Sequence, residues 1–123
     1  MTVSRYIFTL TAPIVIGKAK VEHASSQPMK GLYLDRIFTN APAIGMFTVK
    51  RLRVQRVTIS RREFDAWEVN PMVYDEEYRP FDKRLITPGS SVDAEIVYTG
   101  QGHADLVNGK PFLFVMTLHG EER

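Results

Sequence analysis

Histidine is the first side chain to consider for chemistry, because imidazole binds metals and transfers protons near neutral pH. His23, His103 and His119 are far apart in the sequence and lack the close spacing of a metal-binding pair. His103 has a carboxylate, Asp105, on the same side of an extended chain. A metal site normally needs three or four ligands, so we interpret this pair as part of a solvated loop.

Other patterns that carry catalysis are also missing from the sequence. No serine lies in a GxSxG elbow, and Ser90 and Ser91 follow a Pro-Gly turn. Gly100 and Gly102 lack the third glycine and the helix of a nucleotide-binding fingerprint. The acidic run 75–77 lies in a loop bounded by prolines, and adjacent carboxylates in such a loop are typical of a solvated patch. We therefore predict a protein that is not an enzyme and uses no metal or cofactor.

The most distinctive pattern is a reversal of charge between residues 49 and 77. Residues 49–62 contain no acidic side chain and six basic ones: Lys50, Arg51, Arg53, Arg56, Arg61 and Arg62. Residues 63–77 contain no lysine or arginine and six acidic side chains: Glu63, Asp65, Glu68, Asp75, Glu76 and Glu77. We call these segments the basic block and the acidic block; the acidic block also contains Phe64, Trp67 and Tyr74.

These blocks have three interpretations. They are solvated surfaces that partly neutralise each other within one chain, since charge on the wet face of a strand needs no special purpose. Alternatively, the basic block of one subunit contacts the acidic block of another, and the aromatic residues are buried anchors. The third is single-stranded nucleic-acid binding, which the carboxylates around the aromatic residues disfavour.

We predict association with copies of itself or with other structural proteins, and rank nucleic acid below that. The predicted interface consists of Lys50, Arg51, Arg53, Arg56, Arg61, Arg62, Phe64, Trp67, Tyr74, Asp75, Glu76 and Glu77. A ligand- or sugar-binding site at Trp67 and nearby tyrosines is a further alternative.

The elements that must position these residues are strands, because the dominant period is two. Residues 1–20 alternate around Tyr6, Phe8 and Leu10, and Pro13 predicts a division into a strand pair. In segment 29–38, Leu32 and Leu34 share one face, while Tyr33, Asp35 and Ile37 share the other. Segment 46–60 shifts phase twice, which predicts bulges or a passage between two sheets.

The second half of the chain is less regular until residue 90. Residues 61–69 predict a helical turn or an irregular excursion, and prolines interrupt any longer element. From Val92 to Tyr98 the even residues are apolar, which predicts a strand with one buried face. Segment 111–119 is apolar on both faces, which predicts a central strand or one covered on both sides.

Length and composition favour one soluble β-rich domain over residues 1–123. We predict a β-sandwich or jelly roll, with a small closed OB-like barrel as the alternative. The absence of cysteine is compatible with a reducing cytosol. We also predict no signal peptide and no membrane span, because Thr9, Thr11 and Pro13 interrupt the first apolar run.

The pattern resembles small single-jelly-roll structural proteins of viruses and phages. It comprises the segment 28–38, the loop with Asn40, Pro42 and Gly45, the long basic segment 46–60, and the turn and strand 87–98. The resemblance implies a capsid, cement or spike role in a symmetric shell, and hence a location in a virion or in the cytoplasm.

Overall fold

A computed structural model of the chain describes residues 4–101, 106 and 108–123. Its strands are β1 (Arg5–Val15), β2 (Lys20–Ser26), β3 (Leu32–Thr39), β4 (Phe47–Val54), β5 (Val57–Thr58), β6 (Phe64–Asp65), β7 (Arg84–Ile86), β8 (Val92–Tyr98) and β9 (Pro111–Glu122). The helical segments are two 3-10 turns, Ala66–Val69 and Glu76–Tyr78. The prediction of an all-β protein is confirmed.

The strands form two antiparallel sheets that pack together. Sheet A has the order β1-β9-β3-β7, and sheet B has the order β2-β8-β4-β5, with β6 also pairing with β4. Apart from the short β6, the strands pair in a nested order: β1 with β9, β2 with β8, β3 with β7 and β4 with β5. This nested pairing is the jelly-roll arrangement. The sandwich is therefore confirmed, and the described strands do not close into the alternative barrel.

Aromatic rings connect the two sheets at the centre of the core. The Phe47 ring of sheet B lies 5.0 Å from Phe114 and 5.5 Å from Phe112 of sheet A, and 5.1 Å from Tyr98 of its own sheet. The buried Tyr98 hydroxyl accepts a hydrogen bond from the Gly17 N–H and donates one to a loop carbonyl. The tyrosine therefore joins the core while its polar atom stays satisfied.

The predicted strand pair at the N-terminus is wrong, because β1 is one strand that runs through Pro13. The proline is opposite Leu113 of β9, in a register without a break. β1 is at the edge of sheet A, and the backbone nitrogen of Pro13 is on the side away from β9. The missing N–H therefore removes no bond of the ladder.

The predicted second face of segment 29–38 is also partly wrong. Leu34 pairs with Gly120 and Arg36 pairs with His119, so Asp35 is an extra residue in a β-bulge. The bulge reverses the alternation, and Ile37 is fully buried together with Leu34.

The first phase shift in segment 46–60 is the predicted bulge, with Lys50 as the extra residue between Val49 and Arg51. The second shift has a different cause, because β4 turns back into β5 through a two-residue hairpin. Gln55 and Arg56 adopt φ values of 50° and 67°, as a type I′ turn requires. The whole segment stays in sheet B.

The last two predicted strands agree with the structure. The predicted buried face of β8 is buried at Val92, Ala94, Ile96 and Tyr98. β9 is central in sheet A, between β1 and β3, as its apolar composition indicated. Its outward face is not covered, since Leu113 is 52% exposed.

Candidate functional site

The outer face of sheet B contains the first arginines of the basic block. Arg51 and Arg53 on β4 are opposite Glu95 and Asp93 on β8. Arg53 donates hydrogen bonds of 2.8 and 3.2 Å to the Asp93 carboxylate, which raises the pKa of Arg53. The Arg51 Nε atom is 3.3 Å from Oε2 of Glu95. Both arginines therefore have a carboxylate partner within their own sheet.

The Arg51 contact is an ion pair rather than a hydrogen bond. Oε2 of Glu95 is buried and accepts no hydrogen bond from the described residues. On the other side of Glu95, the His23 Nε2 atom is 3.8 Å from Oε1. Glu95 thus lies between two basic side chains from the two neighbouring strands.

The remaining basic residues are split between exposed positions and further ion pairs. Lys50 is the bulged residue and Arg56 is in the β4–β5 turn, and both are exposed. Arg61 is 2.8 Å from the Asp82 carboxylate. The basic block therefore does not form one continuous positive surface.

Arg62 connects the two blocks within the chain. Its guanidinium donates hydrogen bonds of 2.8 and 3.2 Å to the Glu68 carboxylate. This contact lowers the pKa of Glu68 and raises the pKa of Arg62. Glu68 also accepts a hydrogen bond from the Asp65 N–H, and Asp65 accepts one from the Trp67 N–H. These reciprocal bonds form a capping box on the first 3-10 turn.

The second half of the acidic block is also bonded locally. Glu76 accepts hydrogen bonds from the Tyr74 hydroxyl at 2.7 Å and from Arg79 at 2.9 Å, and Lys83 lies 3.2 Å away. These contacts, with the tyrosine first, lower the pKa of Glu76. The Asp75 carboxylate caps the second 3-10 turn. Most of this acidic charge therefore organises the excursion between β6 and β7.

The predicted aromatic anchors have three different environments. Phe64 is only 2% exposed and belongs to the core, so it is not available as an interface anchor. Tyr74 is half-buried with its ring edge-on to Phe38, at 5.5 Å, and burial raises the pKa of its hydroxyl. Trp67 is also half-buried, at the surface in the first 3-10 turn. The predicted interface residues are thus spread over several surfaces and the core.

Two shallow pockets flank the excursion. One, of about 260 Å³, is lined by Trp67, Glu68, Val73, Asp75, Tyr78 and Pro80. The other, of about 310 Å³, is lined by Asp35, Arg36, Phe38, Tyr74, Glu76 and Lys83. Trp67 and Tyr74 therefore line different pockets, and the tyrosine beside Trp67 is Tyr78.

The structure also forms a surface on the outside of sheet A that was not predicted from the sequence. We call it the β1–β9 face, and it consists of Ile7, Thr9, Thr11, Pro13, Val15, Pro111, Leu113, Val115 and Thr117. These side chains are neighbours because Pro13 pairs with Leu113 and Thr11 pairs with Val115. These residues are uncharged although they are on the outside of the sandwich, and the face ends where Ile7 pairs with His119 and Arg5 pairs with Glu121. The sequence contained one signal for this face: residues 7–15 have no charged side chain, even at the odd-numbered positions that alternate with the core residues.

The described residues contain no group of three side chains suited to hold a metal ion. His103 and Asp105, the pair considered in the sequence, lie outside the described residues. Among the described elements, no helix has the length and apolar character to cross a bilayer.

Comparisons with protein-family models, curated proteins and solved structures gave no match for this chain. What the protein does must therefore be inferred from its own surfaces.

Proposed function

We propose that this protein is a structural subunit that associates with copies of itself in a larger assembly, such as the shell of a virion. The observation that carries the proposal is the β1–β9 face. Leu113, Ile7 and Val15 are each about half exposed on it, between threonines and prolines. Contiguous exposed apolar surface commonly marks a protein–protein interface.

The charged residues give less support to association than the sequence suggested. Arg51, Arg53 and Arg62 each have a carboxylate partner in the same chain, and so has Arg61. Exchanging such a pair for a similar pair across an interface gains little, because both must be desolvated again. The same pairing reduces the positive charge available to phosphates, which disfavours the nucleic-acid alternative.

The jelly-roll topology agrees with a place in a symmetric shell, since capsid subunits commonly have this fold. Lectin domains and cupins also have it. The proposal therefore depends on the exposed β1–β9 face rather than on topology alone.

The test compares two lysine substitutions at equally exposed positions on opposite faces. Leu113 on the β1–β9 face and Val21 on sheet B are both 52% exposed. We expect wild-type protein to give masses above the monomer in light scattering as concentration rises. Leu113→Lys should weaken association at least about tenfold, because a charge must be desolvated in the contact. Val21→Lys should leave association unchanged.

Both variants should keep the fold, since exposed substitutions usually change stability by less than about 0.5 kcal/mol. Thermal unfolding followed by circular dichroism checks this. A wild-type protein that stays monomeric at high concentration contradicts the proposal, and so does an equal effect of the two substitutions.

A second candidate function, supported by the Trp67 pocket, is binding of a small ligand such as a sugar. A lining of aromatic and apolar side chains with a few polar groups is typical of small-molecule sites. Trp67 is the single tryptophan of the chain, so its fluorescence reports on this pocket alone. A saturable change on titration with sugars, lost in Tyr78→Ala, supports this function, and no change at millimolar sugar argues against it.

A further inference from the structure

β1 pairs with β9 on only one of its two sides, because it is the edge strand of sheet A. The Ser4 carbonyl accepts a hydrogen bond from the Glu122 N–H, and the Ile16 N–H donates one to the Lys110 carbonyl. The register between these two bonds is unbroken. Backbone groups of successive residues point to opposite sides of a strand. Even-numbered residues of β1 therefore bond to β9, and odd-numbered residues direct their N–H and C=O groups away from it.

The outward groups of β1 have no backbone partner among the described residues from Arg5 to Pro13. An exposed edge of this kind is a template for pairing with another strand, and short length is one way to prevent it. β7, at the opposite edge of sheet A, has three residues, whereas β1 has eleven. Of the two edges of sheet A, β1 is therefore the one open to pairing. β2, at an edge of sheet B, has seven residues but contains the charged Lys20 and Glu22, which disfavour pairing with another strand.

We infer that β1 pairs antiparallel with the β1 strand of a second copy, with Arg5 opposite Thr11 and Ile7 opposite Thr9. This inference rests on the proposed self-association and adds a contact along the strand edge to the contact made by the β1–β9 face. The pairing forms about eight backbone hydrogen bonds, two for each facing pair of odd-numbered residues. It joins the two copies of sheet A edge to edge, so that their β1–β9 faces become continuous.

Pro13 excludes the registers that would bring it into the ladder. Proline has no N–H, and its ring occupies the side of the strand that a partner carbonyl must approach. In the proposed register every outward N–H and C=O from Arg5 to Thr11 is paired, and Pro13 stays just outside the ladder. A register centred on Thr9 places Pro13 opposite Arg5 and leaves an Arg5 carbonyl without a donor.

The side chains of β1 also suit a second copy as the partner. Arg5 is the charged residue of this stretch, and the register places the two Arg5 residues about 20 Å apart, at opposite ends of the ladder. Ile7 of one copy contacts Thr9 of the other across the two strands, and such pairs of β-branched side chains stabilise an antiparallel sheet. Phe8 lies at the two-fold axis, and at 6% it is the most exposed core residue. Its counterpart in the second copy covers this remaining surface.

Disulfide trapping tests the register directly, because the chain contains no cysteine. Ile7→Cys protein is mixed with Thr9→Cys protein under mild oxidation. In the proposed register residues 7 and 9 face each other with Cα atoms about 5.5 Å apart, within disulfide range. The Cα atoms of the same residue in the two copies, whether residue 7 or residue 9, are about 9 Å apart, which is beyond that range. We expect mixed covalent dimers in excess of the half given by random pairing.

Thr9→Pro tests the backbone bonds themselves. The substitution removes an N–H that faces away from β9, at an odd-numbered position like that of Pro13. We expect Thr9→Pro to weaken association at least about tenfold, whereas Thr9→Val keeps the N–H and should stay within about threefold.

The outcomes separate the two proposals. If wild type associates but Thr9→Cys alone cross-links best, or mixed dimers show no excess, this inference is overturned and the proposed function stands. Equal association of Thr9→Pro and Thr9→Val also overturns it. A strictly monomeric wild type overturns both.

Discussion

The outer face of sheet B and the β1–β9 face of sheet A are built on the same kind of antiparallel sheet but differ in charge. On sheet B, Arg51 and Arg53 face Glu95 and Asp93 across adjacent strands. The β1–β9 face of sheet A has threonine, proline and aliphatic side chains in the corresponding outward positions. A face whose charges are already paired must lose those pairs or bury them to bind a partner, and both cost free energy. An uncharged face is desolvated at lower cost.

A concentration of charge in a sequence therefore does not by itself locate a contact surface. The carboxylate partners of Arg51 and Arg53 are distant in the chain, so these arginines look unpaired in the sequence; Asp93 is 40 residues from Arg53. Once these pairs are formed, the plain alternation of β1 becomes the more informative feature.

The largest effect is expected from breaking sheet A beneath its uncharged face. A Cβ atom at Gly120 collides with the Tyr33 carbonyl oxygen on β3. Backbone atoms cannot rotate away, so Gly120→Ala should cost about 3 kcal/mol of unfolding free energy. Gly89→Ala is the control, since nothing lies within 4 Å of its Cβ and only its φ of +77° is unfavourable, about 1–2 kcal/mol. Urea unfolding measures both, and equal losses would contradict the collision.

A smaller effect is expected on the charged face of sheet B. A double-mutant cycle with Arg51→Gln and Glu95→Gln should give a coupling energy of about 0.5–1 kcal/mol. The Arg61–Asp82 pair is the control and should couple near zero, because its carboxylate is 61% exposed against 18% for Glu95. Denaturant unfolding of the four proteins in each cycle provides the values. If the two coupling energies are equal, the Arg51–Glu95 pair on sheet B stabilises the fold no more than an exposed ion pair does.

The third prediction concerns acid. Arg62 holds the pKa of Glu68 below its ordinary value of 4.5. The unfolded chain therefore binds this proton more readily, so the contribution is present above about pH 4.5 and is lost as the pH falls through the folded pKa. It should be less than about 1 kcal/mol, because both side chains are partly exposed.

Melting temperatures between pH 7 and pH 3 measure this loss. In Glu68→Gln the melting temperature should fall less as the pH is lowered. Glu77 is an exposed carboxylate in the same segment, and Glu77→Gln should leave the fall unchanged. A decline that is unchanged in Glu68→Gln would show that the Arg62 pair does not contribute.

The smallest effect is expected from salt, and it discriminates between the two faces. Association through the β1–β9 face should change less than about twofold as sodium chloride rises to about 1 M, where the Debye length is about 3 Å. Association through the basic and acidic blocks would weaken steeply over that range. Sedimentation at two salt concentrations makes the comparison.

Several elements of the fold could be predicted because they depend on local alternation alone. The buried face of β8 and the central position of β9 follow from the order of apolar residues, and the structure has both. β2 was not predicted, since Ala24 is its one fully buried residue. Ile37 was assigned to the wrong face because a bulge at Asp35 shifts the phase, and no local signal marked that bulge.

The candidate surfaces were harder to predict, because they depend on which strands become neighbours. Phe64 was predicted as an interface anchor from its charged surroundings, yet pairing of β6 with β4 places it in the core. The β1–β9 face joins residues about a hundred positions apart, such as Pro13 and Leu113.

The all-β class and the inward residues of the regular strands follow from the sequence alone, because side chains alternate on a pleated strand whatever its partner. Three features depend on the tertiary fold: β1 is an edge, the arginines of β4 meet the carboxylates of β8, and the uncharged residues of β1 and β9 form one surface. Strand order depends on how the whole chain packs around one core, and no short stretch of sequence contains that information.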